Sequence, residues 1–341
     1  MPDVLRRTSP KILILNNENP AWPEADLKWG RAYLATLQGG LAEQGYTFET
    51  YVFFDDLGGL ARYDPAEWLI WNWGEELAGQ PWTEALVAEE LERRGFIYTG
   101  ADPVLFRLIQ DRAEVKRRLE AAGLPTLPAC VLASAAEAPQ WKVYPAIVKG
   151  ANQHASFGIG RDSIVNNANE LAQRIGFVRR ELCDDALVEP FLDTREFHVA
   201  VWGNAEPEAL PPVELDYSGF SDQRDRLYTY EWKFDQTSRG FKLPNPCPAP
   251  ADRPDWQARL EAVAVAAYRA LGVRDYGRID LRMLGDEPQV LDVNANPDLD
   301  VTSVLSISAR AVGLSYGAMV DRIISFAAER LRAPAAARLT R

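Results

Sequence analysis

The chain has 341 residues, too many for one ordinary compact core, so we expect two or three lobes of roughly 100–150 residues each. Its formal net charge of −12 argues against the broadly basic surface that nucleic acid or an anionic membrane would attract. Three widely spaced cysteines suggest neither a disulfide framework nor a thiolate zinc site. The apolar run Ile12–Leu15 is too short for a signal peptide. We therefore expect a cytoplasmic protein with no nucleic-acid or membrane partner.

The first part of the chain alternates strand and helix patterns. A strand around Ile12–Leu15 precedes the helical stretch "WGRAYLATLQGGLAEQGY", and the strand-like runs "TFETYVFF" and "EWLIWNW" follow. A further helix is predicted from about Pro81 to Arg94. This alternation predicts a parallel α/β lobe over residues 1–105. No G-x-G-x-x-G follows the first strand, which argues against a dinucleotide site there.

The middle part opens with "DPVLFRLIQDRAEVKRRLEAAG", which predicts one helix that ends at Gly123. The stretch "AIVKGANQHASFGIG" then predicts a strand that carries Lys149 into a loop of small residues. Backbone N–H groups of such a loop approach a phosphate closely, and the lysine supplies positive charge. An ordinary strand-to-strand turn is the alternative. With the strand "ALVEPFL", this part predicts a small α+β lobe over residues 106–193.

A second α+β lobe is predicted over residues 194–341. It contains the strand "REFHVAVWGN", the helix "WQARLEAVAVAAYRALG" and a final amphipathic helix at about Tyr316–Arg332. Between the two helices, "GRIDLRML" and "PQVLDVN" are separated by "GDE", which predicts a β-hairpin. If Leu284 pairs with Pro288 across a three-residue turn, Asp280 lies opposite Asp292.

In that register Arg278 lies opposite Asn294, and strand alternation puts all four polar side chains on one face. Opposed carboxylates repel unless a positive group lies between them. Two aspartates and one asparagine form an all-oxygen set, which suits a hard cation such as Mg²⁺. The alternative is a solvated hairpin face on which Arg278 and Arg282 balance the acids.

Several spaced motifs together resemble the ATP-grasp superfamily, and within it the D-alanine–D-alanine ligase-like branch, over about residues 68–332. They are "EELAG" with "LERRGFIYTG", "QDRAEVKRRLEAAGLPTLP", "YPAIVKGANQHASFGIG", "LVEPFLDTREFHVAVWG", "YTYEWKF", "GRIDLRM" and "LDVNANP". The resemblance implies an α/β protein with the ATP-grasp fold. An N-terminal parallel α/β lobe would precede two α+β lobes that clamp the nucleotide.

The resemblance also assigns roles to residues. It implies that ATP is held by Lys116, Lys149 and Lys233 at the phosphates, by Glu189 and the backbone near Leu192 at the adenine, and by Glu196 at the ribose. It implies that the catalytic residues are Arg278, Lys233 and Ser156, with Ser156 contacting the phosphate loop or the substrate. It implies that Asp280, Asp292 and Asn294 hold Mg²⁺, with Mn²⁺ as an alternative and two ions at the site. Asp292 stands where the family usually has glutamate.

The implied activity is that of an ATP-dependent carboxylate–amine ligase. It would join two small amino-acid-like substrates through an acyl phosphate, with release of ADP and phosphate. The resemblance also implies a homodimer, for which the residues give no independent support. Two alternatives remain open, an authentic D-alanine–D-alanine ligase and a non-catalytic ATP-binding regulatory protein. The segment "LNNENPAWPEADLKWG" and Phe234 both depart from the D-alanine–D-alanine ligase pattern at positions that concern the acceptor.

Two acids and two histidines complete the candidates. Asp298 stands where the ligases commonly have glycine, and both it and Asp300 allow the alternative of a solvated turn, which we prefer for Asp300. His198 lies in a strand pattern and is expected to have a strand-face role. His154 lies in the small-residue loop, where an exposed side chain is the expected state.

Overall fold

The computed structural model describes residues 10–153, 156–229, 232, 247–248 and 252–332. Within this part, the chain forms one parallel sheet of four strands, one antiparallel sheet of four strands and one antiparallel sheet of six strands. None of the described helices is both long enough and apolar enough to cross a membrane. The three sheets follow one another along the sequence.

The first sheet is parallel, as the alternation of strands and helices predicts, and its strand order is β2-β1-β3-β4. The residues Ile12–Leu15 are fully buried, which is typical of a parallel strand covered on both faces. Its elements are β1 Lys11–Asn17, α1 Glu24–Glu43, β2 Phe48–Phe53, β3 Trp68–Trp73, α2 Glu84–Arg93 and β4 Ile97–Tyr98.

The next segment forms two helices, α3 Pro103–Gln110 and α4 Arg112–Ala121, so the expected single helix is wrong. The break lies at Asp111, whose φ of −89° and ψ of 89° are not helical. The Asp111 carboxylate accepts a hydrogen bond from the backbone N–H of Glu114 at 2.9 Å and so caps the second helix. An aspartate side chain can accept from a free backbone N–H at the start of α4, and this bond favours a new helix start over continuation of α3.

The second sheet has the order β5-β8-β6-β7, and one helix packs on it. A core of its own lies between the sheet and this helix, with Val148, Ile175 and Val188 fully buried. Its elements are β5 Cys130–Leu132, β6 Ala146–Gly150, β7 Ile164–Val165, α5 Ala168–Glu181 and β8 Ala186–Pro190.

The third sheet has the order β12-β11-β9-β13-β14, with β10 paired to one end of β9. All seven residues of β9 are buried, because strands flank it on both sides and other elements cover both faces. Its elements are β9 Glu196–Trp202, β10 Glu208–Ala209, β11 Val213–Leu215, β12 Cys247–Pro248, α6 Pro254–Leu271, β13 Tyr276–Leu284, β14 Glu287–Asn294, α7 Val304–Ala311 and α8 Tyr316–Arg332.

The first and third sheets share apolar cores. Leu13 and Ile70 of the first sheet belong to the same buried cluster as Phe197 and Ile279 of the third. Helix α6 contributes Leu260 to this cluster. The strands that carry the candidate site are therefore anchored in a large common core, which fixes their backbones. The boundaries predicted for the three lobes at residues 105 and 193 stay predictions.

Candidate active site

The hairpin of β13 and β14 places Asp280 directly opposite Asp292 and Arg278 opposite Asn294, as expected. The expected turn is wrong, because Leu284 pairs with Glu287 across a two-residue turn rather than with Pro288. A β-bulge at Asp280 and Leu281 restores the register at the acids.

Within the hairpin, Arg278 binds both oxygens of Asp280, with Nε 2.7 Å from Oδ1 and Nη2 2.9 Å from Oδ2. The side-chain amide of Asn294 also donates to Asp280 Oδ2, at 3.2 Å. Burial alone would lower the pKa of Arg278, but the neighbouring Asp280 carboxylate outweighs burial and raises it. Arg278 is therefore charged at every ordinary pH.

The donors of the hairpin fit a hard divalent cation by their chemistry. Asp280, Asp292 and Asn294 all offer side-chain oxygen, and Asp292 uses one oxygen only for the backbone N–H of Val293, at 3.0 Å. No group of three or more His, Cys, Asp or Glu side chains with the geometry of a metal site occurs in the described part of the chain. A cation here would complete its shell with water and substrate oxygens, as Mg²⁺ commonly does.

Lys116, Lys149 and Glu189 meet in one buried group, which we call the lysine–glutamate cluster. Lys149 Nζ lies 2.5 Å from Glu189 Oε1, and Lys116 Nζ lies 2.7 Å from Glu189 Oε2. Lys116 Nζ also donates to Thr126 Oγ1 at 3.1 Å and to the carbonyl of Leu127 at 3.0 Å. Burial alone would raise the pKa of Glu189, but the two lysine charges lower it to about 2.

Glu196 is held entirely by protein groups. Its Oε1 lies 3.0 Å from His198 Nε2, and its Oε2 accepts from Arg282 at 2.8 and 3.0 Å and from Tyr217 Oη at 3.2 Å. Arg282 also donates to the carbonyl of Leu192. Both the carboxylate expected at the ribose and the backbone expected at the adenine are therefore tied to one arginine.

Ser156 contacts Tyr228, a residue on which the charges of the hairpin act. Its Oγ donates to the carbonyl of Tyr228 at 3.0 Å. Burial raises the pKa of the Tyr228 hydroxyl, with a lowering effect from Arg278 and a raising effect from Asp280. The φ of Ser156 is +60°, a left-handed conformation that is uncommon outside glycine. Lys233 and His154 lie outside the described residues.

Arg282 and His198 are functional-site candidates whose place at the centre of the site was not foreseen. Both are almost fully buried, with exposures of 2% and 1%. The available signal was strand alternation, because Glu196 and His198 are two residues apart and must share a face. Their burial could not be read from that pattern.

The two acids after β14 differ from each other in exposure. Asp300 is buried and accepts from the backbone N–H and hydroxyl of Thr302, so a solvated turn is wrong for this residue. Asp298 keeps solvent-accessible surface, yet enclosure by protein and the nearby Asp300 charge raise its pKa to about 7. The charge of Glu75 also raises this pKa. Asp298 thus lies where several negative charges are close together.

The model of the family described as "D-ala D-ala ligase C-terminus" matches residues 120–325, more than half of the chain. The chain belongs to the D-alanine–D-alanine ligase family. This confirms the expected ATP-grasp relationship and identifies the chain as a C–N bond-forming ligase. The matched region contains the hairpin, the lysine-bearing strand β6 and the whole of β9.

Sequence relatives extend over most of the chain. A D-alanine–D-alanine ligase of Alcanivorax borkumensis is 32% identical over 75% of this chain and 77% of its own length. A second, from Desulforudis audaxviator, is 29% identical over 94% of this chain and 99% of its own. The uncharacterized protein y4sG of Sinorhizobium fredii is also 29% identical, over 93% of this chain and 94% of its own.

The fold has a matching solved structure. The D-alanine–D-alanine ligase of Bacillus anthracis, solved in complex with ATP, superposes with a TM-score of 0.68 and 18% identity. The match covers 95% of this chain and 99% of that one. The expected ATP-grasp fold, with a parallel sheet followed by antiparallel sheets, is confirmed.

Proposed function

We propose that this member of the D-alanine–D-alanine ligase family couples ATP hydrolysis to amide formation between two small amino-acid-like substrates. The observation that carries the proposal is the pairing of Asp280 with Asp292 beside Arg278 in the hairpin. Opposed carboxylates with a bound arginine make a poor stabilising element but a suitable place for a divalent cation and a phosphoryl group.

For the nucleotide, we assign the phosphates to Lys116 and Lys149. Each lysine now neutralises Glu189, which is only 1% exposed at its side chain. An arriving triphosphate offers the same lysines a stronger, multiply charged partner. Glu189 and the backbone near Leu192 would then face the adenine, and Lys233 the transferred phosphoryl group. The Bacillus anthracis ligase, which has a similar fold, was solved in complex with ATP, and this supports ATP as the nucleotide.

Two of these assignments use atoms that already accept hydrogen bonds within the protein. Glu196 accepts from Arg282 and Tyr217 at Oε2 and lies against His198 at Oε1, so a ribose hydroxyl would have to share the carboxylate with these groups. The carbonyl of Leu192 likewise already accepts from Arg282. A carbonyl has two lone pairs, so a second donor can join without loss of the first bond.

For the metal, we assign Asp280, Asp292 and Asn294, with Mg²⁺ or Mn²⁺ as the ion and room in the family pattern for two. When bound, the cation neutralises charge on the phosphates as it develops during transfer. The residues of the chain that share this task are the lysines and Arg278. Arg278 must release at least one oxygen of Asp280 for that oxygen to bind a cation, because it binds both at present.

The chemistry has two steps. A substrate carboxylate oxygen attacks the γ-phosphorus of ATP, the bond to the β-phosphate oxygen breaks, and an acyl phosphate and ADP form. The amine of the second substrate then attacks the acyl carbon, phosphate leaves with the bonding electron pair, and the amine loses a proton. Arg278, freed from Asp280, would stabilise the tetrahedral oxyanion of this second step.

Two sequence relatives are named as D-alanine–D-alanine ligases, which suggests D-alanine as a substrate. One acid near the hairpin departs from the pattern of these ligases. Asp298 occupies a position where these ligases commonly have glycine. D-alanine therefore belongs in the first substrate pool, together with other small amino acids of both chiralities and small carboxylates.

The experiment is phosphate release from ATP and Mg²⁺ with pooled substrates, with product masses recorded in parallel. We expect amino-acid-dependent phosphate and a mass equal to two substrates minus water. Asp292→Asn should reduce the rate at least roughly a hundredfold, because a charged group at the phosphoryl site is lost. Asp286→Asn, in the turn of the same hairpin, should leave the rate unchanged. Tight ATP binding without turnover in any pool would contradict the proposal.

A further inference from the structure

One face of the third sheet carries a line of three polar residues across adjacent strands. His198 on β9 pairs with Asp280 on β13, and Asp280 pairs with Asp292 on β14. Directly opposed residues point to the same face of a sheet, so the three side chains stand side by side. We call His198, Asp280 and Asp292 the polar row. On the other side of His198 the row ends at the apolar Val213.

The ring of His198 points its Nε2 atom at two carboxylates. Nε2 lies 3.0 Å from Glu196 Oε1 and 3.7 Å from Asp280 Oδ1. Ionised carboxylates only accept hydrogen bonds, so Nε2 must carry the hydrogen. The ring therefore donates to Glu196, and the same nitrogen lies beside Asp280 without a hydrogen bond to it. It joins the acid proposed for the ribose to the acid proposed for the metal.

The opposite side of the ring is unpaired. His198 Nδ1 is buried and has no hydrogen-bond partner in the described part of the chain, and the residue is only 1% exposed. An unsatisfied buried polar atom destabilises the folded state. A leucine of similar size would avoid that cost and would fill the same space. Packing alone therefore does not account for a histidine here, and its Nε2 contacts do.

We propose that His198 is a positioning residue for Asp280 in metal binding, an inference that rests on the metal assignment in the proposed function. In the present state Arg278 holds both oxygens of Asp280. When Arg278 turns to the substrate, Asp280 loses two charged bonds at once. His198 Nε2 already lies 3.7 Å from Oδ1, so a small approach lets its N–H bind that oxygen and keep the carboxylate oriented while the other oxygen binds the cation.

The position of His198 gives the arrangement a second effect. Because the same N–H bonds Glu196 at 3.0 Å, a shift of Glu196 toward a ribose frees that N–H for Asp280. Arg282 and Tyr217 still hold the other oxygen of Glu196 during such a shift. Nucleotide binding and metal binding are thus expected to favour each other through one ring.

The test measures Mn²⁺ affinity by electron paramagnetic resonance, with the full-length chain and a non-hydrolysable ATP analogue. His198→Leu removes the N–H at nearly constant volume, whereas His198→Gln places an amide N–H near the position of Nε2. We expect the leucine variant to bind Mn²⁺ roughly tenfold more weakly and the glutamine variant to recover most of the affinity. Binding of the analogue without metal should change less than threefold in either variant.

Val213→Ala is the matched control, because it disturbs the other neighbour of His198 without removing a donor. It should lower thermal stability and leave Mn²⁺ affinity unchanged. Equal Mn²⁺ affinity in wild type and His198→Leu would overturn the role of His198, as would a loss in the leucine variant that glutamine does not recover. The metal assignment is tested separately, by comparing Mn²⁺ binding in wild type and in Asp292→Asn. If wild type binds no Mn²⁺, or if Asp292→Asn binds it equally well, the metal assignment itself has failed.

Discussion

Lys149 Nζ on β6 lies 2.5 Å from Glu189 Oε1 on β8, and both side chains are largely shielded from solvent. Lys116 reaches the other oxygen of the same carboxylate from helix α4. Two positively charged side chains thus surround one negatively charged side chain in the interior of the protein. The excess positive charge is available to phosphates, and Glu189 keeps the two lysines in place until they arrive.

Glu189→Gln should destabilise the fold by about 3 kcal/mol, because it leaves two buried ammonium groups without their counter-charge. In wild type the pKa of Glu189 is lowered to about 2, from an ordinary value of 4.5. This contribution to stability is therefore present above about pH 4.5 and is lost as the pH falls toward 2. Urea unfolding at pH 7 measures the loss.

Glu114→Gln is the control for that substitution, because Glu114 pairs with Arg117 and Arg118 on the surface of α4. Its unfolding midpoint should equal that of wild type, since exposed ion pairs contribute little. A Glu189→Gln protein as stable as the control would mean that the lysine–glutamate cluster does not hold the site together.

Arg282→Lys should weaken both the fold and the binding of nucleotide. Arg282 donates at once to Glu196 and to the carbonyls of Leu192 and Arg226, and a single ammonium group cannot reproduce this fork. We expect a loss of about 2 kcal/mol in urea unfolding. The KM for ATP should rise several-fold more than kcat falls.

The control for Arg282→Lys is Arg322→Lys, an arginine whose side chain is 54% exposed and lies 3.6 Å from Glu208. It should change neither unfolding nor the KM for ATP. An unchanged KM in Arg282→Lys, with the fold weakened, would separate Arg282 from the nucleotide site.

Asp298→Asn should change how stability depends on pH. The pKa of Asp298 is raised from 3.8 to about 7, so the folded state holds a proton that the unfolded chain releases. Stability therefore falls as the pH rises from about 4 to 7, and the neutral asparagine removes that fall. Because the side chain is partly exposed, we expect a difference of about 1 kcal/mol between pH 5 and pH 8.

Urea unfolding at the two pH values measures this effect, with Glu206→Gln as the control for loss of an exposed carboxylate. The control should follow the wild-type pH profile. An Asp298→Asn profile parallel to wild type would show that the carboxyl ionises freely in the folded state.

Gly285→Ala tests the hairpin turn. Gly285 has a φ of +62°, a conformation that costs an L-residue roughly 1 kcal/mol. Nothing lies within 4 Å of an added methyl group there, so the cost is one of backbone conformation alone. Stability should fall by about 1 kcal/mol, with phosphate release unchanged. A loss of activity without a loss of stability would mean that the turn reaches the site.

Much of the site could be predicted from the residues. The pairing of Asp280 with Asp292 follows from two strand patterns joined by a glycine turn, and it is correct. The turn length and the bulge were not predicted. The pairing of the acids is nevertheless correct, because the one-residue error in the turn and the missed bulge cancel at that point. Pattern alone fixes parity along a strand but not where an extra residue is accommodated.

Burial was the least predictable property. The strand pattern of β9 predicted a strand-face role for His198, and the structure shows that every residue of the strand is buried. The reason lies in distant elements, since neighbouring strands and packed helices decide what covers each face. The two-residue spacing of Glu196 and His198 puts them on one face, but it does not reveal that Arg282 meets them there. The break at Asp111 is similar, because helix propensity favoured continuity and a capping bond decided against it.

The β-bulge beside Asp280 has a practical consequence for engineering. Pairing with β9 holds β13 from Tyr276 to Arg282 independently of the hairpin turn. The bulge lies between the acids and the outer end of the hairpin, so a change of register at the outer end can be absorbed there. New chain termini or a reporter peptide inserted between Gly285 and Asp286 should therefore leave the spacing of Asp280 and Asp292 intact.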